Sequence, residues 1–143
     1  MSFEEKGTWT QGILAVVLPV IYALIVFPQL ATTPAVEIEY QVPMLWAIGA
    51  AIVLGVVATI LVAIGEGIAS PKTAGKSDQR DKDIARLGEY RGGILLGFAM
   101  IVPLGLTLAG VDHFWIANTM YAAFIVSAIL TTIVKLRIYR RGF

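Results

Sequence analysis

Four long apolar stretches, separated by one extended polar run and two shorter connections, constrain this chain more than any other feature. A helix of about 20 residues rises about 30 Å, which is the hydrocarbon thickness of a bilayer. The pattern therefore predicts an all-α, polytopic membrane protein with four transmembrane helices in a single domain over residues 1–143. The spans are expected at about residues 10–30, 44–68, 92–110 and 115–136, with a charged loop over 69–91. Composition agrees, since 57% of the chain is apolar and only 15% charged, outside the range of soluble globular domains.

The polar run sets the orientation. It holds Lys72, Lys76, Arg80, Lys82, Arg86 and Arg91, six of the eleven basic residues. Lys6 precedes the first span, and Lys135, Arg137, Arg140 and Arg141 close the last. Neither the connection 31–43 nor the turn 111–114 carries a Lys or Arg. The positive-inside rule then places both termini and the central loop in the cytoplasm of a plasma-membrane protein. The mixed charges of Glu4, Glu5 and Lys6 do not form the basic start of a secretory signal, so the first span is expected to stay in place.

Side-chain chemistry narrows the function. There is no cysteine and His113 is the sole histidine, which leaves no thiol nucleophile, no iron–sulfur ligands and no histidine pair for a metal or haem. No cofactor and no enzymatic activity are expected, because no nucleophile stands beside an acid–base partner. Direct nucleic-acid binding is not expected either. Pro19 and Pro103 fall inside the first and third spans and predict kinks. Residues 31–43 alternate Val36, Ile38 and Tyr40 with Glu37 and Glu39, and are expected as a short extended surface segment.

Glu66 is the one carboxylate attached to a span. Twenty residues separate it from the interfacial Trp46, roughly 30 Å along a helix, which puts it at the inner boundary. It either pairs with a loop cation or serves a proton or cation path. Small residues at helical spacing, including Gly55 in the second span and Gly93 with Gly97 in the third, are expected at helix contacts within the bundle or between subunits. Asn118, Tyr121, Thr132 and Lys135 form a polar stripe on the fourth span, with Ser127 and Thr131 beside it. Asp112 and His113 share the outer turn.

Within the central loop, Ser77 is expected to cap a short amphipathic helix, with Asp78 favourable to its dipole. Asp78–Lys82, Asp83–Arg86 and Arg86–Glu89 are spaced as ion pairs. The helix is expected to lie on the membrane surface and to bend at Gly92 and Gly93 into the third span. Arg80 is expected to reach inward, toward Glu66, while Asp81 faces the cytoplasm. Asp78, Arg80, Asp81 and Arg86 are thus the candidates for contacting a partner.

Two further patterns run along the chain. Gly7-Thr-Trp-Thr-Gln-Gly12-Ile-Leu matches Gly88-Glu-Tyr-Arg-Gly-Gly93-Ile-Leu in its glycines and aromatic position, as expected of two parallel-repeat hairpins. The run Ser77-Asp-Gln-Arg-Asp-Lys-Asp-Ile84, together with Met1–Lys6, Pro43–Trp46, Val111–Asn118 and Tyr139–Phe143, resembles a family of small actinobacterial membrane proteins. That family carries an Asp-Glu-Arg-Asp-x-x-Ile loop between paired spans, and this chain has Gln79 at its second position. The resemblance implies a four-helix plasma-membrane protein, hints at regulation, and supplies no catalytic residues. Two functions follow as expectations. One is an accessory or regulatory protein that contacts a cytoplasmic or membrane partner through its loop. The other is a small transporter or channel, built as a homo-oligomer, that uses Glu66 and the polar residues of the fourth span.

Overall fold

The computed structural model describes residues 3–69 and 78–142, and of Phe3, Glu66 and Ala69 the backbone alone. Five α-helices and two short 3₁₀ turns make up the described chain, with no strand among the described residues: α1 Phe3–Val26, α2 Gln41–Ala69, α3 Gln79–Ala99, α4 Ile101–Leu108 and α5 His113–Arg141. Taken with α3 and α4 as one rod, four helices are long and apolar enough to cross a membrane. The protein is an all-α, four-helix fold suited to a bilayer.

The breaks have local causes. Pro28, in the 3₁₀ turn Phe27–Ala31, has no N–H with which to continue α1. Pro103 cannot donate to the carbonyl of Ala99, so the ladder lapses there, while Met100 N still bonds Leu96 O at 2.9 Å. Gly110, at φ +69°, adopts the left-handed backbone that closes the turn from α4 into α5. The connection 31–43 is not the expected extended segment: Ala35–Glu37 forms a second 3₁₀ turn. That turn buries Ile38, while Tyr40 packs edge-on to Phe114 at 5.4 Å. Burying Ile38 and stacking Tyr40 outweighs the alternation of the sequence.

The helices lie in the order α2, α1, α5, then α3 with α4. Helix α5 packs on α1 at one flank and on α3 and α4 at the other, whereas α2 has α1 as its one substantial neighbour. Two small cores sit at opposite ends. Tyr22, Val26, Ile38, Ala47 and Phe114 form one at the far end from the termini. Ile84, Val134 and Ile138 form the other at the end that carries the termini. There, Arg140 also lies over the Trp9 ring at 5.3 Å, tying the two chain ends together. Many of the other apolar side chains, among them Leu24, Trp46, Phe98 and Leu108, face outward, as lipid-facing positions do.

Helix α3 is unbroken at Gly92 and Gly93. It is one continuous helix from Gln79 to Ala99, with its stripe of Asp81, Ile84, Gly88 and Gly92 buried throughout. Lys135 lies across Gly88, and Thr131 and Ser127 lie across Gly92. The amphipathic segment is therefore the first part of the same helix as the third apolar stretch. The contact glycines are Gly88 and Gly92, one register from the expected Gly93 and Gly97, which have open space around them within the chain.

Candidate functional site

The start of α3 brings four of the candidate residues together. Asp78 has extended backbone and caps the helix: its Oδ1 accepts from Asp81 N at 2.8 Å, and Asp81 Oδ2 accepts from Asp78 N at 3.3 Å. This reciprocal box satisfies two amides that the first turn would leave open. The cap is thus Asp78, and the expected cap Ser77 lies outside the described residues. The box also reverses the expected roles of the next pair. Asp81 is 8% exposed, on the face toward α5, while Arg80 is exposed. Helix geometry places Asp81 above Ile84, one turn before the core, and turns Arg80 about 100° away.

The expected ion pairs along α3 are absent among the described residues. Each carboxylate has another partner: Asp78 and Asp81 in the cap, Asp83 Oδ1 accepting from Gln79 Nε2 at 3.0 Å, and Glu89 Oε1 meeting Lys135 Nζ at 3.2 Å. Lys82 and Arg86 are exposed along the face opposite the buried stripe, followed by Tyr90; Arg80 and Arg91 are exposed at its flanks. None of these four cations has a carboxylate partner among the described residues. The four cations are thus exposed without carboxylate partners, while Asp83 and Glu89 on the same outward side are engaged by Gln79 and Lys135.

The other candidates lie elsewhere. Asn118 is buried, receives the Tyr22 hydroxyl at 2.8 Å on Oδ1, and donates from Nδ2 to Phe114 O at 2.8 Å. It fastens α5 to α1, as polar side chains do between membrane helices. Asp112 and His113 are exposed at the first turn of α5, and Asp112 makes no side-chain cap. From His113 to Ile138, beside the α3 start, is about 38 Å along α5. The Glu66 side chain lies outside the described residues. The eight candidates therefore do not form one site.

Much of the fourth-span seam is spent on packing. Ser127 Oγ donates to Gly92 O at 2.8 Å, and Thr132 packs its methyl on Gly12. Because α2 and α5 both lean on α1 and not on one another, a groove of about 770 Å³ remains between them. Its inner part carries Gln11, Thr59, Thr131 and Lys135, and its outer part Leu18, Ile52, Phe124 and Ala128. The sequence reading missed both this groove and Gln11. A Gln two residues inside an interfacial Trp was the available signal, since an amide in a span needs a partner. It also missed the Gly88-x-x-x-Gly92 pair, a legible small-residue motif. No family model matches the chain, and neither a curated protein nor a solved structure is detectably similar to it.

Proposed function

We propose that this is an accessory or regulatory protein of the plasma membrane, without enzymatic activity. On this reading both termini and the polar run are cytoplasmic, and an acidic segment of a protein partner docks on the outward face of α3. The observation that carries it is the set Arg80, Lys82, Arg86 and Arg91, exposed and without a carboxylate partner among the described residues, on a helix continuous with its apolar stretch. If Arg91 marks the hydrocarbon boundary, Lys82 stands about 14 Å and Arg80 about 16 Å beyond it. The headgroup layer is only about 5–8 Å deep on each side. The far cations Arg80 and Lys82 thus reach past the lipid on either side of the helix, where a protein surface of opposite charge meets them. The resemblance to small actinobacterial four-span proteins points the same way.

Lys82→Glu with Arg86→Glu tests the reading, because both side chains are exposed and outside the packing. The double variant is expected to melt like the wild type in detergent and to lose a cytoplasmic protein that co-purifies with the wild type. Retention of every co-purifying protein overturns the reading, and so does loss of binding to anionic liposomes alone. A second reading, an oligomeric transporter or channel, is favoured by the exposure of Thr131 and Lys135 to the groove. Solute or ion flux through the purified protein in liposomes would support it.

A further inference from the structure

We infer that the side of the α3–α5 seam away from Glu89 binds one anionic phospholipid, with its phosphate held between Arg91 and Arg137. Its acyl chains run toward Val126 and Phe98. The inference does not depend on what docks at Lys82 and Arg86.

Register makes the first argument. The Glu89–Lys135 pair marks one side of the seam. Glu89 follows the buried Gly88 and Lys135 follows the buried Val134, so each turns about 100° from the contact to that side. Arg91 precedes the buried Gly92 and Arg137 precedes the buried Ile138. Both therefore turn to the other side. Gly88 lies against Lys135, and Gly92 against Thr131 and Ser127, so the two helices run antiparallel. Counting from those contacts sets Arg137 and Arg91 roughly 7–10 Å apart along the seam. Two long side chains from two helices close that distance on a single phosphate.

Depth makes the second. Arg91 adjoins Gly92, where the apolar run of α3 begins, and Arg137 follows Leu136, where that of α5 ends. With Arg91 at the hydrocarbon boundary, the stretch between them covers the headgroup layer, about 5–8 Å deep. Lipid phosphates lie in that layer, and a soluble acidic segment does not. Leu87 and Leu130 pack half-buried between the helices there. Val126 and Phe98 are exposed on the same side, about one and two turns deeper, where acyl chains lie.

Charge makes the third. Arg91 and Arg137 are exposed and have no carboxylate partner among the described residues. Helix α5 contains no acidic residue, and Asp83, the α3 carboxylate nearest this side, accepts from Gln79. A guanidinium without a counter-ion at the edge of the hydrocarbon is costly, and a phosphate meets it with two parallel hydrogen bonds. Arg80 and Arg141, exposed farther out on the same side, repel the ammonium of a zwitterionic head. The ligand is therefore a phospholipid whose head adds no positive charge. A second copy docked here by a two-fold axis would set arginine against arginine.

The test uses the full-length protein in detergent with phosphatidylglycerol as the probe, read by native mass spectrometry and thermal melting. Phosphatidylglycerol is expected to stay bound and to raise the melting temperature, and phosphatidylethanolamine is not. Arg91→Gln and Arg137→Gln are each expected to cut retention several-fold, and the two together little further, because both hold one phosphate. Lys82→Gln with Arg86→Gln removes as much charge elsewhere on α3 and is expected to leave retention unchanged. If a glutamine variant does not fold, Arg91→Lys and Arg137→Lys decide: each keeps the charge and is expected to weaken retention. Equal loss in the Lys82/Arg86 variant means a diffuse charge effect and overturns the inference. So does equal retention of phosphatidylethanolamine, no retained lipid at all, or displacement of the lipid by a soluble oligoglutamate peptide or by inorganic phosphate.

Discussion

The α3–α5 and α1–α2 pairs are both antiparallel helix pairs, the second the more apolar, and they are held by different means. In α3–α5, Gly88 and Gly92 let Lys135, Thr131 and Ser127 approach the backbone, Ser127 bonds Gly92 O, and Ile84 is fully buried. In α1–α2, the described close approach at a glycine is Gln11 over Gly55, and α2 exposes Leu45, Ile52, Ile60 and Leu61 along its length. Lipid solvates an apolar side chain as well as a neighbouring helix does. Close backbone approach and polar bonds therefore decide which membrane helices hold together. The more apolar pair, α1–α2, is the one with fewer close approaches at glycine.

The sharpest way to break that contrast is at Gly92. A Cβ there meets Thr131 and comes within 3.2 Å of the Ser127 carbonyl, which is backbone and cannot step aside. Gly92→Leu is expected to destabilise the protein by about 1–3 kcal/mol or more, the cost of overpacking. Gly97→Leu, with open space around it, should melt as the wild type does. Equal melting of the two in detergent would remove the basis of the comparison. A loss of oligomer with Gly97→Leu would place that face between copies.

A smaller effect is expected at the start of α3. Asp81→Ala removes one half of the capping box and should cost about 1 kcal/mol. Arg80→Ala, next to it and exposed, should leave the melting temperature in place. Thermal unfolding of the two variants side by side checks the reversal of their roles. The reverse ranking would mean that Arg80, not Asp81, supports the fold.

The smallest effect is expected in the looser hairpin. At Gly55 a new Cβ meets only the end of the Gln11 side chain, at 3.3 Å, and that end can move. Alanine also favours the helix by roughly 0.5–1 kcal/mol over glycine. Gly55→Ala should therefore not lower the melting temperature, and a drop of several degrees would show α1–α2 to be as tightly held as α3–α5.

Much of the fold was legible before any coordinates. The four helices follow from the apolar runs, and the turn into α5 from Gly110, but not the helix ends, since α3 begins at Gln79 within the polar run. The role of Asn118 as glue was legible in type but not in partner: Tyr22 is 96 residues away, and no local pattern names it. The internal repeat shows the limit most plainly. Its aligned glycines Gly12 and Gly93 behave differently, the first against Thr132 and the second against nothing. The hairpins share a pattern of residues without sharing a register.

The sequence by itself determined four apolar helices and the segregation of Lys and Arg from two of the connections. Those are sums over neighbouring residues, and neighbours are given by the chain. Only the tertiary structure decided that Gly92 and not Gly93 meets α5, that Asp81 turns in and Arg80 out, and that the cations of α3 are left without their carboxylates. One residue is about 100° of rotation on a helix. Which face is buried therefore depends on the register between helices, and that register is set by the fit of Thr131, Ser127 and Lys135 over two glycines.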